Sequence, residues 1–185
     1  YSAVLPVLPF ILQRSGLSQD AVTWHTGMLT GVYMLTVFLC APLWGRYSDR
    51  VGRRPMLVLG LSGTTLALLA FAVFQSIALA YITRALTGVF VAAVIPVATA
   101  EVGDISRPES RAHRFALLTS ASLVGFLAGP SLSGWLTNAA WLDHYLAAVG
   151  SSYVAVLAAA ALSGLTAAAV MLWLPTCVRP WPVRG

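Results

Sequence analysis

Five stretches of this chain carry no Asp, Glu, Lys or Arg: Ala21–Gly45, Pro55–Thr83, Ala85–Ala100, Phe115–Leu142 and Tyr145–Val178. Crossing a hydrocarbon core about 30 Å thick takes roughly 20 mostly apolar residues in a helix. Pro55–Ala100 holds a single charge, Arg84, and at about 1.5 Å per residue it is far too long for one crossing. It must fold back, and Gln75-Ser76 is the best break. Tyr145–Val178 is too short for two crossings and reads as one long, tilted helix. Lipid offers the backbone no hydrogen-bond partners, so the spans are helical. The predicted spans are Ser2–Leu12 (incomplete), Trp24–Trp44, Met56–Phe74, Ile77–Ala100, Phe115–Leu136 and Leu146–Leu174.

Composition excludes an ordinary soluble domain. The chain is 58% hydrophobic and 9% charged, against roughly 45–50% and 25% in globular proteins. With alternating spans, Arg46, Arg50, Arg53, Arg54, Arg107, Arg111, Arg114, Arg179 and Arg184 share one side, leaving Arg14 opposite and Arg84 inside a span. That bias assigns the arginine-rich side to the cytoplasm of a multi-pass cell-membrane protein. Trp24, Trp44, Trp135, Trp141 and Trp173 fall near span ends, where indole prefers the interface. The net charge of +5 is spread over three membrane-flanking clusters and not one basic face, so nucleic acid is not expected as a partner.

No catalytic or metal signature stands out. Cys40 and Cys177 imply no disulfide framework. His25, His113 and His144 lie at span edges without metal-ligand spacing and read as solvated polar residues. No His-Glu-x-x-His, phosphate-binding loop or Gly-x-Ser-x-Gly occurs. An enzyme is not expected.

The charge is concentrated instead in Gly45-Arg46-Tyr47-Ser48-Asp49-Arg50-Val51-Gly52-Arg53-Arg54-Pro55, with four arginines and one aspartate between two apolar runs. Its pattern, Gly-x-x-x-Asp-Arg-x-Gly-Arg-Arg, resembles the loop between helices two and three of the major facilitator superfamily of transporters. Leu5-Pro6-Val7-Leu8-Pro9 is similar to the first helix of tetracycline and multidrug exporters. Arg84-Ala85-Leu86-Thr87-Gly88 resembles the fourth-helix motif, and Glu101-Val102-Gly103-Asp104-Ile105 with Arg111 the boundary after it. Gly125 to Gly134 resembles the fifth-helix antiporter motif Gly-x-x-x-Gly-Pro-x-x-x-Gly, through Gly125, Gly129, Pro130 and Gly134; Ser133 departs from the second glycine common in relatives.

The resemblance implies an all-α integral membrane fold, six helices forming the amino-terminal half of a twelve-helix carrier. Residues 1–174 would be the bundle with a truncated first helix, and 175–185 the start of a cytoplasmic linker to a missing carboxy-terminal half. It also implies proton-coupled efflux of a small molecule or drug, with no cofactor and the proton gradient as energy source. A metabolite or sugar carrier on the same scaffold, and a non-transporting six-helix membrane protein, are the alternatives.

Physical chemistry gives these residues expected tasks. Gly45 suits a left-handed helix cap, Gly52 a tight turn, and Pro55 the first turn of the next helix. The resemblance makes Asp49, Arg53, Asp104 and Arg111 a conformational charge network, with Arg54 part of the loop motif; a solvated charge run is the simpler alternative. Arg84 lies seventeen residues before Glu101, roughly 25 Å up the helix from the cytoplasmic end. It is expected either to face a cavity with Gly88 and tune proton coupling, or to snorkel outward. Gly125 and Gly129 on one face, like Gly27 and Gly31 in helix two, allow close helix approach.

Overall fold

The hydropathy pattern becomes a set of antiparallel helices. The computed structural model describes residues 4–5, 7–13, 16–73, 76–137 and 151–173, and all its regular elements there are helical. They are α1 (Leu8–Gln13), α2 (Gln19–Val51), α3 (Arg53–Val73), α4 (Ile77–Ile105), α5 (Arg111–Thr137) and α6 (Ser151–Trp173), with a 3₁₀ turn at Pro108–Ser110 before α5. Among the described residues, four stretches are long and apolar enough to cross a membrane: α2, α3, α4 and Pro108–Trp135. Arg14, Gln75, Trp141, Asp143, His144, Cys177, Arg179, Arg184 and the expected linker at 175–185 lie outside the described residues.

Helix ends differ most from the sequence reading. α2 starts where Ser18 accepts the Ala21 N–H at 3.4 Å and Asp20 sits favourably in the first turn. It then runs 33 residues, about 50 Å, well past the hydrocarbon core. Arg46, Asp49 and Arg50 therefore ride on a helix and not in a loop. Gly45 lies inside α2 and caps nothing; the break is Gly52 alone, at φ 106° and ψ 155°. That backbone region is open essentially to glycine only. The Gly52 N–H closes the helix on the Ser48 carbonyl at 3.0 Å, and α3 begins at the next residue. Pro55 falls in its first turn, where a missing N–H costs nothing. α4 likewise continues past Ala100 and carries Glu101 and Asp104 on its last turns.

α4 is the centre of the packing, held chiefly between α2 and α3, while α3 also packs on α6. Small residues permit this. A Cβ on Gly88 would stand 2.8 Å from the Tyr33 carbonyl oxygen of α2, and one on Gly63 would sit 2.2 Å from the Phe90 ring of α4. Gly27 and Gly31, expected at a helix contact, have nothing within 4 Å of a built Cβ; the close approach of α2 is made on the α4 side. One apolar cluster joins Val7, Leu8, Leu29, Phe71 and Val156 at the end away from the arginines. Another joins Met56, Leu57 and Val97, with Trp44 and Val170, near the arginine-rich end. α5 stands apart, touching α4 and α6 only lightly, and among its described residues Ser133 alone is buried.

Gly88→Ala is expected to lower the thermal midpoint of the detergent-solubilised protein, because overpacking against a backbone oxygen costs about 1–3 kcal/mol. Gly45→Ala, with nothing within 4 Å, is expected to be neutral or stabilising, since alanine is the better helix former. Equal midpoints for the two variants would contradict the packing described.

Candidate functional site

The single-residue joint at Gly52 sets the site, because it turns the last turns of α2 and the first turn of α3 toward the end of α4. Arg53 is the common member. Its Nη1 lies 2.6 Å from Oδ1 of Asp49, one turn back across the joint, and its Nε donates to Oδ2 of Asp104 on α4 at 3.2 Å. Nη1 also donates to Ser48 Oγ at 2.6 Å, and the Ser48 hydroxyl in turn donates to the Gly45 carbonyl at 2.8 Å. Ser48 is 1% exposed, so its hydroxyl is the buried floor of an otherwise half-open cluster. Sequence reasoning missed it; the signal available was a small hydroxyl five residues before Arg53 in a motif otherwise made of charges and glycines.

The acids are exposed, Asp49 by 62% and Asp104 by 54%, against 19% for Arg53. Pairs of that kind contribute about 0–1 kcal/mol each and are weakened by salt. As glue the cluster is poor; as a contact that can be made and broken it is well suited.

Other expected members point elsewhere. The Arg111 guanidinium stands 6.0 Å over the Phe115 ring, and its Nη2 would be 3.1 Å from a Cβ on Gly103. It fills the space that Gly103 leaves between α4 and α5. Arg54 donates to the Met171 carbonyl in the last turn of α6, where a cation also complements the helix dipole. Neighbouring arginines thus tie α3 to different helices, Arg53 to α2 and α4, Arg54 to α6.

Arg84 is 2% exposed, with its guanidinium carbon 5.2 Å from the centroid of Phe71 on α3. This is the interior of the bundle, not the outward snorkelling that its depth allowed. Gly88, one turn along, is a packing residue against Tyr33 and Thr36. On α5, Pro130 lies inside the helix and removes a backbone donor from it, and Gly129 adjoins it. A Cβ on Gly125 or Gly134 would meet nothing within 4 Å among the described residues.

Two long-range polar contacts had no local signal. The Trp44 indole donates to the Val89 carbonyl at 2.7 Å, and His25 Nδ1 lies 3.0 Å from the Tyr81 hydroxyl. Each ties α2 to α4, near opposite ends. His25 is thus engaged with another helix and not merely solvated. Among the described residues, no group of three or more His, Cys, Asp or Glu is placed to hold a metal ion.

Comparison with known proteins agrees with this architecture. The model of the Major Facilitator Superfamily matches residues 1–183. The chain is 38% identical over 145 residues to the class C tetracycline resistance protein of Escherichia coli, which covers 78% of this chain and 36% of that protein. It is 30% identical over 155 residues to multidrug resistance protein 1 of Bacillus subtilis, covering 83% and 39%. The crystal structure of the human organic anion transporter TETRAN superposes with a TM-score of 0.73 at 25% identity, over 94% of this chain and 43% of that one. The chain spans less than half the length of each of these proteins.

Proposed function

Because the chain belongs to the major facilitator superfamily, we propose that it forms the amino-terminal six-helix half of a twelve-helix membrane carrier that exports a small molecule, a drug in the first instance, in exchange for protons. Residues 1–174 are the bundle and 175–185 lead to the second half. The relatives named for tetracycline and multidrug resistance support the direction and class of cargo. The reading is of a carrier and not an enzyme, with the proton gradient in place of a cofactor.

The observation that carries the mechanism is Arg53 bridging Asp49 and Asp104 across three helices. Alternating access requires helices at the cytoplasmic end to part and rejoin in every cycle. A weak, half-exposed junction holds them together in one conformation and releases them at little cost. Arg84 has the complementary task inside the bundle, where a fixed positive charge biases the ionisation of an acid brought near it. Gly125, Gly129 and Gly134 keep α5 slim, and Pro130 inside it removes one backbone hydrogen bond and lets the helix flex, as a sliding or sealing surface requires.

The test is drug efflux in everted vesicles. The full-length protein carrying this chain is expected to drive efflux that an uncoupler abolishes, whereas residues 1–185 alone are expected to give none, because a site between two halves needs both. Efflux indifferent to the uncoupler, or robust efflux by residues 1–185, would overturn the reading.

A further inference from the structure

α3 and α6 lie antiparallel, and their contacts keep one register along the shared length. Phe71 and Val156 belong to the apolar cluster away from the arginines. Further along, a Cβ on Gly164 would stand 3.6 Å from Thr65, and the Ser163 hydroxyl donates to the Leu61 carbonyl at 3.0 Å. Val170 packs against the cluster of Met56 and Leu57, and Arg54 donates to the Met171 carbonyl at the arginine-rich end. We propose that Arg54 is a positioning residue for transport: it fixes the end of α6 to the start of α3, so that the point where the chain passes to the second half moves with α3. The proposal rests on the reading of residues 175–185 as the lead to that half.

Arg54 differs from an arginine that only anchors topology. Arg46, Arg50, Arg107 and Arg114 are exposed, whereas Arg54 is half-buried. Its guanidinium is turned to a backbone acceptor on another helix and not outward. α6 has no basic residue in its own last turn. Arg54 therefore supplies, from α3, the cation that the carbonyl end of a helix favours, and a donor for a carbonyl that a helix end leaves without an internal partner.

Holding the two helices side by side does not need Arg54, because small-residue and apolar contacts already do so along the rest of the interface. The end of α6 is another matter. Met171 and Leu172 are 57% and 82% exposed, so little apolar contact holds that turn, and the contact with Arg54 does. Arg54 is also only two residues beyond the joint at Gly52. A change at the joint thus reaches the end of α6 without passing through the membrane-spanning part of either helix.

The number of acceptors gives the proposal a distinctive test. Arg53 serves three, and Arg54 serves one among the described residues. One carbonyl asks for a positive charge and a single donor, which lysine also has, and not for a planar fork. Lysine is therefore expected to suffice at position 54, although it rescues only in part at position 53.

The experiment uses the full-length protein with its native cysteines replaced and spin labels at Leu59 on α3 and Leu172 on α6, both exposed. In the otherwise unmodified protein, electron-spin distance measurement is expected to give one narrow population, the same at acid and alkaline pH. Arg54→Met is expected to broaden it, and Arg54→Lys to keep it narrow. In everted vesicles, Arg54→Met is expected to lower the kcat of efflux about fivefold, the order lost with one hydrogen bond. KM should stay unchanged, because the drug site is not touched. Arg54→Lys should restore kcat, and Arg46→Met, which removes the same charge, should leave both readouts alone. A distance and a kcat unchanged in Arg54→Met would overturn the proposal, as would failure of Arg54→Lys to restore them. A Leu59–Leu172 distance that differs between the two pH values in the unmodified protein would also overturn it, whatever the fate of the variants. If the unmodified protein exports nothing, the transport reading is what fails, and the distances still decide whether Arg54 holds α6.

Discussion

Arg53→Ala is expected to cut proton-driven efflux by the full-length protein at least about tenfold while leaving its amount in the membrane unchanged. One side chain supplies the contacts to Asp49, to Asp104 and to the buried Ser48 hydroxyl, so its loss removes the junction in a single step. The acids are mostly exposed, so insertion and thermal stability should change little. The damage falls on the balance between conformations, where about 1.4 kcal/mol already corresponds to a factor of ten. Arg53→Lys keeps the charge but not the planar fork, and lysine cannot hold three acceptors in the same geometry; a partial rescue is expected. Asp49→Asn and Asp104→Asn should each be milder, and the double variant should lose less than the sum, because both act through one guanidinium. Arg46→Ala serves as the topology control. Initial efflux rates in everted vesicles, normalised to protein amount, decide the matter. Normal transport by Arg53→Ala would reduce the cluster to a solvated charge run.

The second large effect is expected at Arg84. Arg84→Ala removes a charge and a large side chain from a site 2% exposed and packed on Phe71, so a loss of rate alone would not separate coupling from packing. Arg84→Met, which keeps much of the bulk, and Arg84→Lys, which keeps the charge, make that separation. A nearby cation lowers the pKa of a carboxylate by about 1–3 units. Removing it lets the acid hold its proton to higher pH, so the pH profile of efflux should move upward in Arg84→Ala and Arg84→Met. In Arg84→Lys the profile should stay near its original position, at reduced rate. Substrate binding should survive in all of them. A profile unmoved in Arg84→Met would make Arg84 a packing residue and refute its part in proton coupling.

The order of the long helices was legible because each carries a membrane-length apolar stretch. The ends were not. Charge marks where hydrocarbon stops, whereas a helix continues for as long as its backbone is satisfied, so α2 reaches Val51 and α4 reaches Ile105. The same effect hid the joint: Gly45 and Gly52 look equivalent in the string, and only the second takes a positive φ. Within the site, the pairing of Arg53 with Asp49 and Asp104 came from family resemblance alone: the stretch around Asp49 read as a loop, and nothing local links Arg53 to Asp104, 51 positions away. Ser48, Arg54 on the α6 carbonyl, and His25 with Tyr81 depend on how the helices lie together, which local composition does not record. Gly88 was legible as part of a motif, but its contact with the α2 backbone was not.

One residue between α2 and α3 also has a mechanical consequence. A connector of several residues would act as slack, letting one helix tilt while the other stayed put. Gly52 alone provides none. The pair is an elbow with arms of about 50 Å and 31 Å, and its only soft torsions are those of a glycine. A swing of the α2 arm at the far face of the membrane must therefore reappear at the near face, either as rotation at Gly52 or as displacement of α3. Arg53 and Arg54, the first two residues beyond the hinge, receive that displacement before any other part of α3 does.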